Sequence, residues 1–163
     1  GLTSLSSVLI FFEFFHKKNN SNKILRYGIL ETFISSVSIL SRAMIFNGTA
    51  DKIAPYQGGL VSLFGNNSRG IVQSSDDTYE YWKSLGSSTE ETVENLAELD
   101  GNPKSSVIKK ISKGEKVVAL YTLVNGGHIY ASPNVEYSRY FNGNVRDINT
   151  SMEIYSVFES LTK

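Results

Sequence analysis

The segment Lys116-Val117-Val118-Ala119-Leu120-Tyr121-Thr122-Leu123-Val124 constrains the fold more than any other part of the chain. Its β-branched and aromatic side chains suit a pleated, packed surface, so the run predicts a strand. Asn125-Gly126 or Gly126-Gly127 then offers a hairpin turn, and His128-Ile129-Tyr130-Ala131-Ser132 is the expected partner strand. A chain of 163 residues, 40% of them hydrophobic, can bury a sizeable core without covalent or metal staples. It has no cysteine, which excludes disulfides, thiolate chemistry and cysteine-bound zinc and leaves the compartment open.

Upstream, Ser21-Asn22 reads as a helix N-cap. Ile24, Leu25, Tyr27, Ile29, Leu30, Phe33, Ile34, Val37, Leu40 and Met44 then recur mostly at three- and four-residue steps, which predicts a long helix ending at Asn47-Gly48. Residues 49–77 turn to Gly, Asn, Ser and Gln and read as an extended loop with short strand pieces at Gly59–Phe64 and Gly70–Val72. Asp76–Gly86, with Tyr79, Tyr81 and Trp82, predicts a strand. Ser88 and Glu91 form a capping-box pattern for a helix carrying Val93, Leu96, Ala97 and Leu99, stopped by Asp100-Gly101-Asn102-Pro103, and Lys104–Ile111 reads as a second helical piece. Ile154, Tyr155, Phe158 and Leu161 space a helix over Ser151–Leu161. The expected fold is α+β in one domain: a small antiparallel sheet packed on a long N-terminal helix and a second helix, with residues 1–20 as an apolar arm or first element. The apolar run Leu5–Phe15, broken by Glu13, falls short of the roughly 20 residues of a transmembrane helix. Its positive charges follow it, unlike those of a secretory signal.

Sixteen basic side chains balance sixteen acidic ones, which argues against a domain whose main affinity is for bulk phosphate. The two histidines, His16 and His128, have no metal-ligand spacing, and the chain carries no phosphate loop, dinucleotide fingerprint or Gly-x-Ser-x-Gly elbow. Asp76 and Asp77 are neighbours, which on an extended chain point to opposite faces and fit a solvated turn better than an acid–base pair. His128 falls at a turn edge, a place for a surface or hydrogen-bonded histidine. A hydrolase using Asp76, Asp77, Glu80 or His128, or a peptide-binding module anchored on Tyr81 and Trp82, are the alternatives that chemistry leaves open. Leu9, Phe11, Phe12, Tyr56 and Phe64 are apolar in segments with the poorest case for a core of their own, so they are interface candidates. Lys109, Lys110, Lys113 and Lys116 belong to a lysine-rich stretch that reads as a solvated face or the lining of a channel.

Trp82-Lys83-Ser84-Leu85-Gly86-Ser87, followed by an acidic segment and by Gly127-His128-Ile129-Tyr130 through Gly143, resembles the neck and tail-completion proteins of tailed bacteriophages. Asp77-Thr78 and Tyr81-Trp82 stand for one pair of that family's landmarks, and Ile129-Tyr130, Asn134, Tyr137 and Gly143 for the other. The resemblance implies a virion structural protein assembled in the host cytoplasm, not an enzyme, without cofactor, metal or membrane. It implies a homo-oligomeric ring joining the head connector to the tail. Its neighbours would be a portal-side adaptor and a tail tube or tail terminator protein, with non-specific contact to passing DNA along the four lysines.

Overall fold

The computed structural model describes residues 7–11, 40–67 and 70–159. The elements run β1 (Ser7–Phe11), β2 (Leu40–Gly48), β3 (Gly59–Leu60), β4 (Ile71–Val72), α1 (Ser75–Ser84), β5 (Glu90–Asn95), β6 (Ser106–Lys113), β7 (Val117–Val124), a 3₁₀ turn (Arg139–Phe141) and α2 (Thr150–Glu159). The main sheet has the order β1-β2-β7-β6-β5, and β3 pairs with β4 in a separate two-stranded ribbon. β1, β2 and β7 are parallel, whereas β7, β6 and β5 form an antiparallel meander, so the sheet is mixed.

β7 is the strand its sequence predicts, and its neighbours explain its composition. Val118 and Leu120 face Tyr79 and Trp82 of α1 together with Ala43 and Ile45 of β2. Ala119, Tyr121 and Leu123 face the other way, onto Met44, Phe46, Val107, Ala131, Val145 and Ile148. A strand covered on both faces needs apolar side chains at successive positions rather than alternate ones. Phe46 and Tyr121 are direct partners in the parallel register and stack at 4.4 Å between centroids, the cross-strand contact that fixes β2 against β7.

The expected long N-terminal helix and purely antiparallel sheet are not what forms. Leu40–Gly48, the last part of the predicted helix, is strand β2. Ala43, Met44, Ile45 and Phe46 are buried in succession because β2 lies inside the sheet and is covered on both faces. The remainder of that helix, at positions 21–39, lies outside the described residues. Asp76–Gly86 is helical, not extended: Ser74 caps α1 by accepting from the Asp77 amide at 3.0 Å, Asp76 and Asp77 occupy the first turn, and Tyr79 and Trp82 share the buried face three residues apart. The two helical pieces expected across 88–111 are strands β5 and β6. The Ser88 hydroxyl of the supposed capping box meets that of Ser112 at 2.6 Å instead of closing a helix end. Nor do residues 128–132 form a strand, because β7 is already paired with β2 on one side and β6 on the other. The C-terminal helix agrees with its apolar spacing and covers Thr150–Glu159.

Candidate active site

β2 and β7 are adjacent and parallel, so the chain leaves the sheet twice at the same edge, through Gly48-Thr49-Ala50-Asp51 and through Asn125-Gly126-Gly127-His128. Ligands of such sheets sit outside the carboxyl ends of the strands. The two loops are bonded into one unit: Thr49 N–H donates to Leu123 O at 3.0 Å, Ala50 N–H to Gly126 O at 2.9 Å, and Asn125 N–H to Thr49 Oγ1 at 2.8 Å. Gly48 permits this approach, and Gly127 a second one, against the 3₁₀ turn. A Cβ on Gly48 would stand 2.1 Å from Gly126 O, and one on Gly127 would stand 1.5 Å from Phe141 O.

That closeness brings Asp51 to His128. The carboxylate of Asp51 is buried; its Oδ1 accepts from the amides of Ile53 at 2.8 Å and Ala54 at 3.0 Å, and its Oδ2 meets His128 Nδ1 at 2.7 Å. A carboxylate accepts only, so Nδ1 is the donor in this pair, and in the neutral ring the lone pair then belongs to Nε2. His128 itself is held by its amide, which donates to Phe141 O at 2.8 Å. A cavity of about 260 Å³ opens beside the pair, with Phe46, Asn47, Tyr130 and Tyr137 in its wall. Tyr137 is fixed by its hydroxyl, which donates to Tyr130 O at 3.1 Å, and by its amide, which donates to Asn144 Oδ1 at 2.8 Å. Asn47 donates through Nδ2 to Ser75 Oγ at 2.9 Å, tying the cavity floor to the start of α1. A histidine oriented by a buried carboxylate at a cavity wall can take up and return a proton during bond cleavage.

The remaining candidates are scattered. Asp76 and Asp77 are exposed on the first turn of α1. Glu80 pairs with Lys83 at 3.2 Å and Lys110 at 3.1 Å. Trp82 is in the core rather than on a binding surface. Leu9 and Phe11 lie on β1, Phe12 lies outside the described residues, and Phe64 is 85% exposed beside Tyr140. Tyr56, expected at an interface, is buried instead, its hydroxyl 2.8 Å from Thr122 Oγ1, and burial pushes its pKa up. The four lysines do not share a face. Lys109 pairs with Glu153 at 3.4 Å on the α2 side of the sheet, Lys110 pairs with Glu80 on the α1 side, Lys113 ends β6, and Lys116 begins the return into β7 beside Gly86.

Sequence reasoning noted His128 and missed Asp51. The available signal was positional: a glycine-bearing turn follows an apolar run in both places, Ile45-Phe46-Asn47-Gly48 and Leu123-Val124-Asn125-Gly126. Comparison with family models, with curated proteins and with solved structures finds no match for this chain.

Proposed function

We propose that the protein is a hydrolase in which His128, oriented by Asp51, is the general acid–base group for cleavage of an ester or related acyl bond. The observation that carries this reading is the 2.7 Å bond from His128 Nδ1 to a buried carboxylate at a cavity on the carboxyl edge of two parallel strands. Acid before histidine, each on a loop after a parallel strand, is by analogy the placing that α/β-hydrolases give two members of a Ser–His–Asp triad. His128 would accept the proton of the attacking oxygen as it bonds to the acyl carbon, then return it to the departing alcohol, with water completing the products.

The test is hydrolysis of p-nitrophenyl acetate and butyrate by the purified full chain beside His128→Ala. The reading expects the wild-type rate to exceed that of the variant by at least a hundredfold, since acid–base catalysis contributes about 10²–10⁴-fold. Equal rates in folded proteins overturn it. Labelling with a fluorophosphonate then separates a serine nucleophile from directly activated water.

A structural role in a phage neck is the second reading. It draws on apolar side chains left at the surface: Phe64 against Tyr140, at 85% and 74% exposure, and the paired Leu60 and Ile71. Ring assembly would cover them. Light scattering that gives the mass of a single chain, with and without candidate neck partners, counts against it.

A further inference from the structure

The loop between β5 and β6 folds around its own acidic side chains. Glu98 Oε1 accepts from the amides of Gly101 and Asn102, Asp100 Oδ1 accepts from the Asn102 amide at 2.8 Å, and Gly101 turns the chain with φ +74°. Asp147 reaches this loop from the C-terminal layer, the residues 131–159 whose Ala131, Val145 and Ile148 cover one face of β7, and its Oδ1 accepts from the Leu99 amide at 2.8 Å. One carboxylate oxygen from each of Glu98, Asp100 and Asp147 lies within 4.8 Å of the others.

Those bonds do not account for Asp147. The residue is 3% exposed, and its second oxygen, Oδ2, is buried with no hydrogen-bond partner among the described residues. A buried carboxylate oxygen without a donor is costly, and two further carboxylates beside it add repulsion. Arg146, next in the chain, pairs with Glu136 at 3.2 Å. A cation among the three carboxylates would remove both costs.

The donor set selects the cation. It is all oxygen, with neither nitrogen nor sulfur, which suits a hard ion rather than zinc or copper. Oxygens bound to one Ca²⁺ at about 2.4 Å can be no farther apart than about 4.8 Å, the limit these three respect. A tight loop with two exposed carboxylates fits the irregular shell of Ca²⁺ better than the strict octahedron of Mg²⁺. We propose that Glu98, Asp100 and Asp147 form a Ca²⁺ site that fastens the β5–β6 loop to the C-terminal layer. The site uses neither Asp51 nor His128 and stands apart from the hydrolase reading.

The full chain, stripped with EDTA, is melted with increasing CaCl₂ and, separately, with MgCl₂ or NaCl at matched ionic strength. Wild type is expected to rise by about 3–6 °C at ten times Kd, with a smaller response to Mg²⁺ and none to NaCl. Tb³⁺ luminescence displaced by Ca²⁺ is the second readout. Asp100→Asn, at an exposed position that leaves the core intact, is expected to lose most of the Ca²⁺ shift. Asp147→Asn is expected to lose it entirely yet to melt no lower than wild type in EDTA, because it removes the unpaired buried charge and keeps Oδ1 for Leu99. No shift and no Tb³⁺ signal up to about ten millimolar, above the weakest Ca²⁺ modules, overturns the site. So does a shift that survives in both variants, or a wild type stabilised by acid but not by Ca²⁺.

Discussion

Asp51 does two jobs with two oxygens, and a single substitution separates them. Asparagine keeps Oδ1 to receive the Ile53 and Ala54 amides but puts an amide where Oδ2 faces His128 Nδ1. The ring is then pushed to the wrong tautomer. On the hydrolase reading, Asp51→Asn is therefore expected to fold and to lower kcat by about 10⁴-fold, the scale seen when the carboxylate of another histidine–aspartate pair is neutralised. Ester hydrolysis with circular dichroism as the folding control checks this, and an undiminished kcat refutes it. Tyr121 gives a second prediction at this scale. Burial first, then the hydrogen bond its hydroxyl donates to Glu153 Oε2 at 2.7 Å, holds its pKa well above the ordinary tyrosine value. The folded state thus keeps this proton at a pH where the unfolded chain releases it. Stability from this group is complete below the unfolded pKa of about 10 and declines as pH rises beyond it. Tyr79 acts in the same direction. Urea melts of Tyr121→Phe are expected to show a weaker loss of stability between neutral pH and pH above 10 than wild type. An unchanged slope would discount Tyr121.

At the scale of elements, β7 and α2 were legible because each carries a local signal that tertiary packing reinforces: a continuous apolar run, and apolar residues at helical spacing. β2 carries the same signal as β7 in Ala43-Met44-Ile45-Phe46, but Leu40 and Met44 also continue the helical period set upstream, and the longer pattern prevailed. In α1 the pair Tyr79 and Tyr81 imitates strand alternation, while the buried pair is Tyr79 and Trp82. β5 and β6 are built largely of Glu, Lys and Ser, whose preferences are weak enough for pairing to decide: Glu94 faces Lys109 across the ladder and Glu91 takes the ammonium of Lys83 at 2.6 Å. The lysine hydrogen bond holds the Glu91 carboxyl below the usual range. The site was half legible, since Asp51 and His128 are 77 positions apart and only the parallel pairing of β2 with β7 joins them. That pairing depends on the loops packing tightly, so Gly127→Ala should act far beyond one methyl group. Its Cβ would overlap Phe141 O, backbone must move, and His128 moves with it. On the hydrolase reading, a loss of hydrolytic rate larger than tenfold at a temperature where the variant remains folded is the expected result; full activity would show that the loop yields elsewhere.

Across the whole molecule, stability should be graded by how many sides of a strand are occupied. β7 has β2 and β6 as lateral partners, α1 over one face and the C-terminal layer over the other, with Leu120, Tyr121 and Leu123 fully enclosed. β5 lies at the edge of the sheet, every one of its residues is exposed, and β6 is its one ladder partner among the described residues. Opening β5 uncovers little apolar surface, whereas opening β7 dismantles both cores at once. Hydrogen exchange read by mass spectrometry should therefore find the amides of 117–124 among the slowest and those of 90–95 among the fastest within the main sheet. Leu120→Ala, which empties a position between β2 and α1, is expected to cost about 2–5 kcal/mol and to speed exchange throughout β2, β6 and β7 together. Thr92→Ala on the edge strand should change β5 alone. The two responses follow from the same cause, since cooperative loss requires a side chain shared by several elements and β5 has none that is enclosed. Equal protection of β5 and β7 would mean that something further covers the edge strand, and the exposed row Glu90 to Asn95 would then mark where it binds.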